Sequence, residues 1–263
     1  MKIGVSTASL FLRNYNEDAL IKFNELGIAA TEIFLASYSE YTKEFGKILK
    51  NNKGNIDVHS VHVLNTQFEP QLYSNHLRAL NDAYFYLENV MKIAKILKAK
   101  YYTFHGIARL KKTPIVSDFK IIGEKTNKII ECCEKFNIKL AYENVHWAYY
   151  SYAGFFSELK KYCPKLKGVL DIKQARQSDI NYREYIKDMS DNIVTVHLSD
   201  YNDKGSIVLP GKGLFDFETL LKELKDNNFD GAMLIEVYKD DFNNLIELKQ
   251  SSDYIQELAY KIF

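Results

Sequence analysis

The chain has 263 residues, of which 46% are hydrophobic and 26% are charged, so it can bury a large core. Its 35 basic and 34 acidic side chains leave a formal net charge of +1, which argues against a dedicated nucleic-acid-binding protein. The sequence has no apolar run of about 18 residues, no leader-like amino terminus and only three cysteines, so we expect a soluble, cytoplasmic protein without a disulfide framework or a membrane partner.

Short β-branched and aromatic runs alternate with longer segments of helical periodicity along the whole chain. Eight strands are predicted at residues 2–6, 30–34, 57–63, 101–105, 139–144, 167–171, 193–198 and 232–237. Helices are predicted at residues 17–26, 40–50, 75–98, 119–136, 154–162, 182–189, 217–227 and 243–261, and Asp216 is a candidate cap of the seventh. The alternation predicts one α/β domain over residues 1–263, a closed (β/α)8 TIM barrel, although an open sheet of eight strands has the same pattern.

Four acidic or imidazole side chains stand where the last four predicted strands end. They are Glu143, Asp171, His197 and Glu236. Strands of a parallel barrel are buried on both faces, so a carboxylate at such a position needs a partner. Because the carboxyl ends of barrel strands converge on one mouth, a single divalent cation can neutralise all of these side chains. Each residue alone is also compatible with an ordinary polar strand end, but four on successive strands favour a metal site.

These residues occur in a recognisable order of short motifs. The motifs are Glu143-Asn144, Asp171-Ile-Lys-Gln174, His197-Leu-Ser-Asp200, Glu236 within LIEVY, and LPGKGLFDF at residues 209–217. Their order resembles that of the xylose-isomerase-like barrel superfamily. This superfamily contains ketose and sugar-phosphate isomerases and epimerases, hydroxypyruvate isomerases, inosose dehydratases and zinc endonucleases of the endonuclease IV type. The resemblance covers the whole chain and implies that the Glu, Asp, His and Glu are the metal ligands.

The sequence departs from this family pattern in two places. Gln174 stands where many relatives carry a histidine, and a neutral amide can orient a hydroxyl but is a poor metal ligand. The zinc endonucleases have an Asp-x-His pair after the seventh strand, whereas residues 201–210 contain no histidine. We therefore expect one divalent metal ion. The mainly oxygen-donor set suits Mn²⁺ best and also admits Mg²⁺, Zn²⁺ or Co²⁺.

Histidines on two earlier strands, His62 and His105, match positions where relatives place a histidine facing the mouth. With Gln174 they are the predicted substrate-binding residues. Each histidine is also compatible with a second-metal ligand or a buried structural imidazole. His59 lies three positions before His62, so side-chain alternation places the two on opposite faces of the strand and favours a structural role for His59.

The predicted chemistry is that of a divalent-metal-dependent isomerase or epimerase acting on a small keto-sugar or sugar phosphate. Glu143 and Glu236 would act as base and acid on either face of an enediolate intermediate. Three alternatives remain open: an inosose-type dehydratase using the same site, an endonuclease IV-like zinc phosphodiesterase, and a sugar-binding barrel without activity. The resemblance also allows a homo-oligomer.

Loops at the barrel mouth should set the specificity for the carbohydrate. They are predicted at residues 106–118, 146–154 and 201–213, where Arg109, Lys111, Lys112, Lys204 and Lys212 are candidate phosphate contacts. The second loop carries aromatic side chains that either cover the site or pack the barrel rim. They are Trp147, Tyr149, Tyr150 and Tyr152.

Overall fold

The structure is a computed structural model that describes residues 1–109 and 118–263. Lys111 and Lys112, two of the candidate phosphate contacts, lie outside the described residues. Within the described residues, no helix has the length and apolar character needed to cross a membrane.

Eight parallel strands close into a barrel in the order β1-β10-β7-β6-β5-β4-β3-β2. Their bounds are β1 Lys2–Ser6, β2 Ala30–Leu35, β3 Asp57–Val63, β4 Tyr101–Phe104, β5 Lys139–Glu143, β6 Lys167–Asp171, β7 Ile193–Leu198 and β10 Ala232–Ile235. All eight predicted strands are present, and the predicted closed (β/α)8 barrel is confirmed. A short antiparallel hairpin, β8 Asp200–Tyr201 with β9 Ile207–Val208, follows β7 and was not predicted.

Helices connect successive barrel strands on the outside. Their bounds are α1 Asn16–Glu25, α2 Lys43–Asn52, α3 Leu77–Leu97, α4 Phe119–Glu134, α5 Phe155–Lys160, α6 Ile172–Gln177, α7 Tyr182–Met189, α8 Phe217–Asp226 and α9 Leu245–Ile262. The eight predicted helices are present with ends shifted by a few residues. The short helix α6, which begins directly after β6, was not predicted.

Local sequence signals account for these helices. In α3, Leu87, Val90, Met91 and Ala94 recur at helical spacing and are buried, so one face packs on the barrel. The cap predicted at Asp216 is confirmed, because its carboxylate accepts a hydrogen bond from the first turn of α8. Large aromatic side chains such as Tyr102, Tyr142 and Phe104 are fully buried in the core.

A bulge in β3 corrects the prediction that His59 and His62 face opposite ways. The residues on either side of His59, Val58 and Ser60, pair with consecutive residues of β2, so His59 is skipped in the register. The extra residue resets the alternation of side chains. As a result His59 also points into the barrel, where its Nε2 lies 3.0 Å from the carbonyl oxygen of Val194 on the opposite strand β7.

Candidate metal centre

The four predicted metal ligands come together at the carboxyl ends of β5, β6, β7 and β10. Glu143, Asp171 and His197 are each 1% exposed and Glu236 is 9% exposed. One ligand atom from each lies within 4.8 Å of the others. The strand register explains the convergence, because Asp171 pairs directly with His197 across β6 and β7. Glu236 follows β10 by one residue and so reaches the same level.

The His197 imidazole is oriented by contacts at both of its nitrogens. Its Nδ1 faces the carboxylates, 3.2 Å from Glu143 Oε1, 3.7 Å from Glu236 Oε2 and 3.8 Å from Asp171 Oδ2. Its Nε2 lies 3.0 Å from an oxygen of Glu32. The imidazole can therefore offer Nδ1 to a cation while its Nε2 lies beside the negative charge of Glu32, and a carboxylate on the far side of the ring is common for a metal-bound histidine.

The donor set fits a divalent cation. Asp171 Oδ2 and Glu236 Oε2 are buried and accept no hydrogen bond from any described residue. Such oxygens are costly in an apolar interior unless a cation or donor satisfies them. Three carboxylates and one imidazole at these separations are ligands that Mn²⁺, Mg²⁺, Zn²⁺ or Co²⁺ can use.

The carboxylates of the cluster differ in acidity. Burial raises the pKa of Asp171 to about 7, with Lys173 opposing the shift and Glu143 adding to it. Burial also acts to raise the pKa of Glu143, but the imidazoles of His197 and His105 outweigh it, and the net shift is downward.

Glu32, a residue that the sequence analysis missed, lies directly behind the cluster. It is fully buried in β2 and accepts hydrogen bonds from Ser60 Oγ at 2.5 Å, from Thr103 and from His62 Nδ1 at 3.0 Å. Burial acts to raise the pKa of Glu32, but His197 and His62 reverse the shift and lower it. The signal in the sequence was a glutamate within the apolar run of the second strand.

His62 and His105, the predicted substrate contacts, are placed next to the cluster but are held by carboxylates. Glu32, His62 and Glu236 form a second group of donor atoms within 4.8 Å of one another. His105 Nε2 lies 3.1 Å from Glu143 Oε2. Its other nitrogen lies 3.5 Å from Glu69 Oε2. His105 is thus positioned to orient Glu143.

Glu69 is a second buried carboxylate that the sequence analysis missed. It is fully buried and accepts hydrogen bonds from Tyr102 Oη at 2.6 Å, Asn65 Nδ2 at 2.8 Å and the backbone N–H of His105 at 3.1 Å. Because these donors fix its position, Glu69 anchors the backbone of His105 and places a negative charge near the imidazole that contacts Glu143. Nothing in the local sequence EPQLY distinguishes this glutamate from a solvated one.

Gln174, the third predicted substrate contact, is engaged by its neighbours. Its Oε1 lies 2.6 Å from His146 Nδ1 and accepts the backbone N–H of His146 at 3.2 Å. Its own backbone N–H donates to Asp171 Oδ1 at 2.8 Å. The side chain thus ties α6 to the loop after β5.

Lys173, which was not predicted, is buried beside the cluster. It is 4% exposed, and its Nζ lies 3.8 Å from Asp171 Oδ2 and 3.9 Å from Glu236 Oε1. The ammonium also stands 4.7 Å from the ring centroid of Tyr238. The short helix α6 places it there, because Lys173 is the second residue after the β6 ligand.

The loops above the cluster are anchored by side chains from the predicted motifs. Asp200 accepts backbone N–H groups from residues 201, 211, 213 and 215, so it shapes the loop before α8. Trp147 packs against His105, with ring centroids 5.4 Å apart and the ring planes tilted by 51°. Tyr150 is fully buried against Phe155, which favours rim packing for this ring.

A family model described as xylose isomerase-like TIM barrel matches residues 21–258. The chain belongs to this family. Solved structures similar to this chain include a D-tagatose 3-epimerase-like protein, with a TM-score of 0.79 and 20% identity. The alignment covers 100% of this chain and 98% of that one. D-psicose 3-epimerase from Clostridium cellulolyticum H10 has a TM-score of 0.79 and 14% identity, covering 100% and 99%. The IOLI protein, solved with a zinc atom, has a TM-score of 0.78 and 17% identity, covering 100% and 99%.

Among curated proteins, the chain is similar to the inosose dehydratase of Clostridium perfringens (strain ATCC 13124). It is 29% identical over 117 residues, which are 44% of this chain and 36% of the dehydratase. The match thus spans little more than a third of that relative. The structural likenesses establish the shared barrel fold.

Proposed function

We propose that this chain is a divalent-metal-dependent isomerase or epimerase of a small keto-sugar or sugar phosphate. The observation that carries the proposal is the buried cluster of Glu143, Asp171, His197 and Glu236, in which two glutamates approach one volume from different sides of the barrel. A bound divalent cation, with Mn²⁺ preferred for this oxygen-rich set, would stabilise negative charge on neighbouring carbonyl and hydroxyl oxygens of the substrate.

Glu143 is the better-positioned base in this proposal. Its Oε2 faces His105 Nε2 at 3.1 Å, and the Glu69 carboxylate lies 3.5 Å from the other nitrogen of that imidazole. The imidazole favours the ionised carboxylate, which is the form that can accept the α-proton of a ketose. Removing this proton leaves an enediolate, which a base alone stabilises poorly.

Glu236 is the proposed acid that returns a proton to the other face. It comes from β10, which is separated from the Glu143 strand by β6 and β7 in the barrel. At 9% exposure it is the most open of the four cluster residues. When the proton is taken from C3 of a 2-ketose, its return from the opposite face inverts C3 and gives an epimer. When the proton is taken from C1, protonation at C2 gives an aldose.

The test is exchange of the substrate's α-proton with solvent deuterium, measured by NMR on Mn²⁺-loaded protein with D-tagatose, D-psicose and L-ribulose. We expect exchange by the wild type and its loss by about 10²–10⁴-fold in Glu143→Gln and Glu236→Gln. Metal content of each variant is measured alongside, because both residues are proposed ligands. Exchange at the wild-type rate in both metal-loaded variants would contradict the proposed roles.

An inosose-type dehydratase is the second candidate, favoured by the partial match to the Clostridium perfringens enzyme. Dehydration begins with the same proton removal and then expels a hydroxyl from the adjacent carbon. Incubation with 2-keto-myo-inositol separates the two, because dehydration gives an absorbing enone and epimerisation does not.

The structure gives less support to a phosphodiesterase with three zinc ions. The Asp-x-His pair of those enzymes has no counterpart after β7, because residues 201–210 contain no histidine. Asp200, at the end of the His-Leu-Ser-Asp motif, accepts four backbone N–H groups of its own loop and shapes that loop. A sugar-binding barrel without activity would bind metal and ketose but show no proton exchange, so the same deuterium experiment tests it.

A further inference from the structure

The buried ammonium of Lys173 is not used by the mechanism above. Lysine is seldom buried without close partners, since desolvating an ammonium costs several kcal/mol. Lys173 is 4% exposed, yet its Nζ is 3.8 Å from Asp171 Oδ2 and 3.9 Å from Glu236 Oε1. These separations are longer than hydrogen bonds, so neither carboxylate accepts an N–H from it.

Among the described residues, none accepts a hydrogen bond from the ammonium. The ring of Tyr238 lies 4.7 Å from Nζ and offers an electrostatic contact that needs no directed hydrogen bond. A lysine that served only to neutralise the two carboxylates would gain more from direct hydrogen bonds. Its three N–H groups thus stand beside the two proposed ligands and are available to a third acceptor.

The charges of the centre indicate what that acceptor is. Glu143, Asp171 and Glu236 together carry three negative charges when ionised. A divalent cation alone leaves the centre negative, which opposes the formation of an anion within it. The cation together with Lys173 balances the charges of these three ligand carboxylates, so negative charge can develop on a bound substrate at lower cost than with the cation alone.

We propose that Lys173 donates a hydrogen bond to the substrate oxygen on which negative charge develops when the α-proton is removed. This inference rests on the proposed function, because it assumes a substrate that becomes an enediolate in the cluster. It makes Lys173 a second positive group that favours oxygen-rich anionic ligands over neutral ones.

The experiment compares Lys173→Met and Lys173→Arg with wild type, each loaded with Mn²⁺. The probes are glycolohydroxamate, an anionic mimic of an enediolate, and dihydroxyacetone, a neutral ligand of similar size. Affinities are measured by calorimetry, and Mn²⁺ binding is measured separately. Lys167→Met is the matched control, because Lys167 begins the same strand β6 at the opposite end of the barrel.

We expect Lys173→Met to bind glycolohydroxamate about ten- to hundredfold more weakly, with dihydroxyacetone binding changed by less than about threefold. Mn²⁺ binding should be equal or tighter, since a repelling charge is removed. Lys173→Arg should restore most of the hydroxamate affinity, and Lys167→Met should resemble wild type. A control by circular dichroism verifies folding.

Three results would overturn the assignment: equal hydroxamate affinity in Lys173→Met, equal loss for both probes, or no hydroxamate binding by Mn²⁺-loaded wild type. The proposed function fails separately, if wild type shows no α-proton exchange with any ketose or inosose. A selective hydroxamate loss in Lys173→Met without such exchange would keep Lys173 as an anion-binding residue and reject the isomerase. α-Proton exchange by wild type, without a selective loss of hydroxamate affinity in Lys173→Met, would keep the isomerase and reject the role of Lys173.

Discussion

The carboxylate behind His197 provides a sharp test of how the centre is built. Glu32 Oε1 lies 3.0 Å from His197 Nε2, on the side of the imidazole away from the other ligands. In Glu32→Gln the side chain keeps its shape, and its amide oxygen can still accept from Ser60 and Thr103. What the substitution removes is the negative charge that favours Nε2–H and keeps Nδ1 free to bind a cation.

The expected effect is a 10–100-fold loss of Mn²⁺ affinity, the range found for carboxylates that support a metal-bound histidine. This corresponds to about 1.4–2.7 kcal/mol of binding free energy. Affinity is measured by calorimetry, with free Mn²⁺ verified by electron paramagnetic resonance. Thermal unfolding of the metal-free protein verifies that the barrel remains folded.

Asp188→Asn is the matched control. Asp188 also accepts several hydrogen bonds, from Tyr150 Oη and from the backbone N–H groups of Phe156 and Ser157, but these lie at the start of α5. Replacing this carboxylate should lower the free energy of unfolding and leave the Mn²⁺ affinity unchanged. Mn²⁺ affinity of Glu32→Gln within about threefold of wild type would refute the reasoning, since the Glu32 charge would then have no influence on His197.

Two further predictions concern the barrel itself. Burial lowers the pKa of His59 to about 4, against about 6.5 when unfolded, so the unfolded chain takes up the proton first as the pH falls. Between pH 7 and 5 the free energy of unfolding should fall by about 2 kcal/mol through this group. In urea unfolding, His59→Gln should remove that part of the pH dependence. An equal change of unfolding free energy with pH in both proteins would contradict the prediction. Asn144 Nδ2 donates to the backbone oxygen of Asp171 at 2.9 Å and its Oδ1 accepts the Asp171 N–H at 2.8 Å. Asn144→Ala leaves both groups unpaired and should cost about 2–4 kcal/mol in the free energy of unfolding, whereas a loss below about 0.5 kcal/mol would show that other partners replace it.

The barrel and the four-residue cluster were predictable from the sequence because both follow from simple periodicity. Strand runs recur along the chain, and the carboxyl ends of parallel strands meet at one mouth. Glu143, Asp171, His197 and Glu236 were therefore expected to meet, and the structure brings them together.

The supporting residues were not predictable in the same way. Glu32 on β2 contacts His197 on β7 across the barrel, and Glu69, in the segment between β3 and α3, contacts His105 after β4. The sequence does not show which of these distant segments lie side by side. Lys173 is one of 35 basic residues, and its burial follows from a helix of six residues too short to show periodicity. His59 was assigned to the wrong face because one skipped residue in the register leaves no mark in the sequence.

The location of bound metal tests the central claim most directly. Crystals soaked in Mn²⁺ would be measured for anomalous scattering at the manganese edge. The account predicts one site per chain, held by His197 Nδ1 and by oxygens of Glu143, Asp171 and Glu236. A principal site among Glu32, His62 and Glu236, or two or more sites of equal occupancy in the mouth, would contradict it.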